Sequence, residues 1–244
     1  MTLLIQFLLR LSFGLAAGMT LTSSKHVTSG YFRNHLYVTL GLTSLAAVLS
    51  WTNAPDAFWF AVGAALASYV GAVGWLYEKQ KFGKVLLLMV TFSSLAGALM
   101  QNGFSASLLA IFSNVSSGLL LGMTMASMLL GHWYLNSPTM EMAPLRRLIV
   151  LLTVAVALRT IAASLGLWGE VTYANSFSTQ WFAFIALRWT FGLIGVAILT
   201  WMAWQTLKIP NTQSATGILY VAVIGTFVGE TMSLLLSSES LFPL

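Results

Sequence analysis

Long apolar stretches alternate with brief polar ones from one end of this chain to the other. Each apolar stretch runs for roughly 20 residues, the length an α-helix needs to cross a hydrocarbon core of about 30 Å. The pattern predicts eight spans, over approximately residues 3–23, 34–52, 57–77, 84–101, 104–131, 145–168, 179–205 and 214–236. The connections are too short for a soluble domain. Residues 1–244 are therefore expected to form one integral membrane domain of the all-α class, a polytopic helix bundle. Short connections also predict that neighbours in sequence pack antiparallel.

The charged positions orient this pattern. Connections on one face hold Lys25, Arg33, Lys79, Lys81, Lys84, Arg146, Arg147 and Lys208. The other face holds no Lys or Arg, only Asp56, Glu170 and Glu239. Cytoplasmic loops carry the excess of Lys and Arg, so both termini are expected outside, in a multi-pass protein of the bacterial inner (cytoplasmic) membrane. The stretch Met1 to Ser23 lacks a basic leading region, is interrupted by Arg10, and has its positive flank after it. It reads as a retained first span, not a cleaved signal.

Composition removes several function classes. The chain is 58% hydrophobic and 7% charged, against roughly 25% charged in soluble domains. The net charge of +5 resides in loops beside spans. Attraction to anionic lipids accounts for it, and no nucleic-acid partner is expected. With no cysteine, disulfides, thiolate zinc and iron–sulfur ligation within this chain are excluded, and such a cluster would belong to a partner. HExxH, GxSxG, phosphate-loop and Rossmann motifs are absent, as is a pair of histidines spaced along one membrane helix for a cytochrome b haem. No self-sufficient enzyme site is expected.

Small residues recur four apart, at Gly14 and Gly18, at Gly63, Ala67 and Gly71, and at Gly118 and Gly122. This spacing lets helix backbones approach closely, and packing within the bundle is its ordinary use. Trp51, Trp59, Trp75, Tyr77, Trp133, Trp168, Trp181 and Trp204 lie near predicted span ends, where aromatic belts form.

Four charges escape the sorting: Arg10, Arg159, Arg188 and Glu230 fall inside the apolar segments. Arg159 lies beyond Arg147 by about 18 Å of helix at the usual rise. All four are expected at or outside the midplane. An intramembrane Arg costs at least ~2.5 kcal/mol on insertion scales, so three in one chain call for compensation. Two arrangements satisfy that need. In one, Glu230 pairs with Arg188 on the preceding helix while Arg10 snorkels to the outer interface. In the other, the residues gather at a cavity whose excess of positive charge suits a haem propionate, a lipid phosphate or a quinone head. Asn114 with Ser113, Ser116 and Ser117 adds a polar stripe suited to interhelical hydrogen bonds.

A second polar zone lies at the inner face. His26, His35 and His132 all fall at inner helix ends, and His132 opens the stretch His132-Trp133-Tyr134-Leu135-Asn136-Ser137-Pro138. Ser137 before Pro138 is a good helix start, so a short helix on the membrane surface is expected before Pro144. An interfacial belt with a structural histidine explains the stretch. So does a quinone or lipid headgroup site built from His132, Tyr134 and Asn136, or haem ligation by two of the three histidines.

The last two spans, with Ala186-Leu187-Arg188, Trp204, Lys208, Gln213 and Gly229-Glu230, resemble the membrane anchors of DMSO-reductase-type complexes in the polysulfide-reductase NrfD-like group. His132 to Pro138 is similar to that family's His-Leu-x-x-Pro segment, which there follows an early span and here the fifth. The resemblance implies eight spans with both ends outside and a subunit exchanging electrons between quinol and a partner carrying iron–sulfur or haem groups. It carries over only Arg188 and Glu230, as quinone-pocket residues.

The expected function is thus a membrane subunit of a multi-subunit redox complex, holding quinone, with haem b as a second cofactor candidate, and anchoring membrane and soluble partners. Glu230 would relay protons as the catalytic carboxylate, and Arg188 would orient the quinone. Arg10 and Arg159 would complete the cofactor site. Two other classes stay open: a small proton-coupled secondary transporter or channel, and a scaffold that packs lipids, pigments or other subunits.

Overall fold

The computed structural model describes residues 1–101, 107–137, 140–174, 176–209 and 211–244. Eight helices follow one another: α1 (Thr2–Leu21), α2 (Ser29–Asn53), α3 (Pro55–Leu76), α4 (Gln80–Met100), α5 (Leu108–Asn136), α6 (Ala143–Tyr173), α7 (Thr179–Lys208) and α8 (Thr212–Glu239). No strand occurs among the described residues. Seven of the eight are long and apolar enough to cross a membrane. The other, α2, has 25 residues; its first turns carry Arg33, Asn34 and His35. This is an all-α integral membrane bundle.

Local chemistry sets several helix starts. Ser107, Ser178 and Asn211 cap α5, α7 and α8 by accepting from the backbone N–H of Ala110, Trp181 and Ser214. A side-chain oxygen at this position satisfies an otherwise orphaned donor. Prolines open α3 and α6, where the missing N–H costs nothing. The helices overrun several expected spans: α2 starts at Ser29, α5 continues to Asn136 and α6 to Tyr173. Hydropathy locates the apolar segment, whereas the backbone ladder continues into the interface.

The basic residues between helices collect at one end of the bundle. There Lys84 donates to the carbonyls of Met19, Thr20 and Thr22, capping the end of α1, and Arg146 donates to Leu207 O at the end of α7. Asp56, Glu170 and Glu239 mark the opposite, acidic end. Contacts such as Gln6 Nε2 to Ala98 O at one end and Lys84 to Met19 O at the other make α1 and α4 antiparallel.

Helices α1 and α5 are the central pair, with α2 to α4 on one side and α6 to α8 on the other. Glycines permit their crossing. A Cβ on Gly14 would lie 1.8 Å from Gly118 O, and one on Gly122 would lie 1.8 Å from Gly14 C. The glycine spacing therefore serves packing within the chain. One aromatic departs from the belt: Trp75 is buried and stacks on Phe32 at 4.2 Å.

Two local expectations are revised. The stretch from His132 to Asn136 belongs to α5 itself. Pro138 and Thr139 lie outside the described residues, and Met140 to Met142 are not helical, so the surface helix has no support among the residues described. In α7, the turns from Arg188 to Gly195 are π-helical, between α-helical Thr179–Leu187 and Val196–Lys208. Hydropathy is blind to that change, because one extra residue in a turn leaves composition untouched.

Candidate functional site

The intramembrane charges converge. Arg10 from α1, Arg159 from α6 and Glu230 from α8 meet around the serines of α5, with Arg188 from α7 within Coulombic range of all three. Each is buried, with exposures of 8%, 0%, 2% and 1% respectively. All four fall in the half of the bundle nearer the acidic end.

Glu230 pairs with Arg159, not with Arg188: Arg159 Nε lies 2.8 Å from Glu230 Oε1. The second oxygen, Oε2, accepts from Ser117 Oγ at 2.5 Å. Arg159 spends its other nitrogens on Ser113 Oγ at 2.8 Å and Ser233 Oγ at 2.6 Å. Sequence neighbours on facing helices were the expected partners, but α6 brings its arginine across the bundle. Nor does Arg10 snorkel. Its Nε donates to Gln6 Oε1 at 3.0 Å and its Nη1 to Ser117 Oγ at 3.3 Å.

Arg188 is different. Among the described residues, none of its three guanidinium nitrogens has a hydrogen-bond partner. A guanidinium buried without partners costs several kcal/mol, and such a cost is characteristic of functional sites. The residue opens the π-helical turns, a rare conformation that is frequent at functional sites. Gly192 and Gly229 bring this segment against α8 so closely that a Cβ on Gly192 would lie 2.5 Å from Gly229 Cα.

Two cavities lie in the same half of the bundle, one of them walled in part by the cluster. A polar vestibule of about 250 Å³ opens at the acidic end, with Arg10, Ser113 and Asn114 in its walls. Asn114 Oδ1 is buried and unpartnered there. The segment Ser240 to Pro243 forms the facing wall. It is pinned by Glu170, whose Oε2 accepts from Leu241 N and Phe242 N at 2.9 and 3.1 Å. Glu170 is thus a buried anchor at the end of α6, not a free loop charge. Ser233 links segment and cluster, donating to Leu244 O while accepting from Arg159. The second cavity, of about 390 Å³, is apolar and lies between α1 and α8, with Phe7, Phe227 and Thr231 in its lining. Phe7 is one helical turn from Arg10, and Thr231 follows Glu230.

The histidine zone is dispersed at the basic end. His26 Nδ1 lies 2.9 Å from Glu141 Oε2. His35 Nδ1 lies 2.6 Å from Tyr31 O, and His132 Nδ1 lies 3.3 Å from the Tyr220 hydroxyl. Tyr134 is buried and donates to Glu141 O, whereas Asn136 is exposed. His132, Tyr134 and Asn136 therefore do not face one shared site. Among the described residues, no three His, Cys, Asp or Glu side chains converge as a metal site would require.

No protein family, curated protein or solved structure matches this chain. Gln6 and Ser233 are the members of the cluster that sequence reasoning missed. The signal available was a polar residue one turn from two of the four intramembrane charges, Gln6 before Arg10 and Ser233 after Glu230.

Proposed function

We propose that this integral membrane protein is the quinone-binding subunit of a redox complex in the bacterial inner membrane. The observation that carries the reading is the buried Arg188 guanidinium, partnerless among the described residues, in a cluster whose Arg10 lines the polar vestibule at the acidic end; an apolar cavity lies between α1 and α8 in the same half of the bundle. A quinone needs these three things together: donors for its ring oxygens, a lipid-facing path for its tail, and a polar route for protons. When bound, it gives or takes two electrons and two protons.

The chain's own residues divide the work. Arg188 holds the ring oxygen, since its donors are the free ones. Arg159, Ser117 and Glu230 form the frame: both Glu230 oxygens are occupied, so Glu230 positions Arg159 and Ser117 and is not the first proton acceptor. Arg10 and Asn114 face the vestibule and guide protons to it. With the basic end in the cytoplasm, as the positive-inside rule directs, that vestibule faces the periplasm.

The resemblance to NrfD-like anchors implies that Arg188 and Glu230 are quinone-pocket residues. A cysteine-free chain takes its electrons from a partner. The first half of α7, Thr179–Leu187, has no buried residue and offers a surface for such a subunit. Purification with associated chains, followed by solvent extraction and chromatography of the lipids, tests the reading. Stoichiometric quinone is expected; a preparation that contains no quinone and takes up none contradicts it. A second reading, a proton-coupled transporter, draws on the π-helical interruption of α7 and predicts uptake into proteoliposomes driven by a proton gradient.

A further inference from the structure

A separate groove lies in the opposite, basic half of the bundle, between α6 and α7. Its apolar part, about 350 Å³, is walled by Val150, Val154, Ala197 and Trp201. The two threonines in it have no hydroxyl proton to offer, because Thr153 donates to Ile149 O and Thr200 to Val196 O. Trp204 belongs both to this groove and to an adjoining pocket of about 260 Å³ that contains Arg146, Leu207 and Lys208. An apolar channel therefore ends in a mouth with two cations.

We infer that this groove is a binding site for an anionic phospholipid, one acyl chain lying along α6 and α7 and the headgroup phosphate between Arg146 and Lys208. Charge complementarity selects the occupant. A zwitterionic lipid would bring a cation of its own into a mouth that already holds two, and a quinone ring would leave both unmatched. Basic pockets between membrane helices on the cytoplasmic side are where anionic headgroups bind. Arg146 is held in place for this role, since one of its nitrogens is fixed on Leu207 O at 2.9 Å. Bound lipid would tie the ends of α6 and α7 together. The inference is independent of the quinone reading, whose site lies in the other half of the bundle.

The test is native mass spectrometry of the full chain titrated with phosphatidylglycerol, cardiolipin or phosphatidylcholine. Wild-type protein should retain the anionic lipids in preference to phosphatidylcholine. Removing each cation should weaken retention about fivefold, the equivalent of ~1 kcal/mol per basic residue at the membrane surface. R146Q/K208Q should lose the preference, and A197W, which fills the groove without altering charge, should lose the lipid. R147Q, an exposed neighbour outside the lining, should behave as wild type. Circular dichroism and gel filtration confirm that each variant is folded; if A197W does not fold, A197L serves in its place. Equal losses in R147Q and R146Q, or full retention by the folded groove-filling variant, would overturn the inference.

Discussion

Arg159 and Arg188 are both fully buried arginines, yet they carry opposite expectations. Arg159 is satisfied by Glu230, Ser113 and Ser233. Replacing it by Met leaves Glu230 buried without its counter-charge and should cost about 3–5 kcal/mol. Replacing both, as R159M/E230L, should recover part of that loss, because the pair is removed together while Arg10 and Arg188 stay buried without that carboxylate. Chemical unfolding in detergent, read as a double-mutant cycle, checks this. Arg188 has nothing to lose in the ligand-free protein, so R188M should leave the unfolding midpoint unchanged or raise it. Sequence reading found all four charges and their depth. It could not find the pairing, because whether α6 or α7 turns its arginine toward Glu230 is set by helix rotation, which composition does not encode.

At the scale of the element, the glycines divide by what surrounds them. Gly14 and Gly122 touch opposing backbone, which cannot move aside as a side chain can. G122A should therefore destabilise by about 1–3 kcal/mol or more, the cost of overpacking a close-packed contact. Gly217 has nothing within 4 Å of its would-be Cβ. G217A should be neutral or stabilising by up to about 1 kcal/mol, the backbone-entropy gain in a helix. Thermal unfolding of the two variants side by side checks the contrast. Existence and order of the helices were legible because each needs only an apolar run; the caps at Ser178 and Asn211 emerge from the structure. The π-helical turns at Arg188 were not legible: they follow from the fit of α7 against α8 through Gly192 and Gly229, a tertiary cause.

For the whole molecule, the sorting of charge makes the bundle a dipolar object with a basic end and an acidic end. The absence of native cysteine makes orientation simple to measure. K79C and E239C, both at exposed positions, should label oppositely with a membrane-impermeant maleimide: E239C in intact cells, K79C only after permeabilisation. The reverse would invert the assignment of the vestibule to the periplasm. The two polar zones foreseen from the sequence fare differently as wholes. The charged zone closes into one cluster because five helices converge on it. Among the described residues the histidine zone does not close into one site: His35 meets Tyr31, His132 meets Tyr220, and His26 and Tyr134 meet at Glu141. The central claim is that the partnerless Arg188 is the ligand's anchor. A short-chain quinone titrated into purified protein and followed by tryptophan fluorescence tests it most directly, Trp189 being adjacent to the anchor. Wild-type protein should show saturable quenching that R188M abolishes and R147Q preserves. Saturable quenching of equal affinity in R188M, or none in the wild type, would contradict the account.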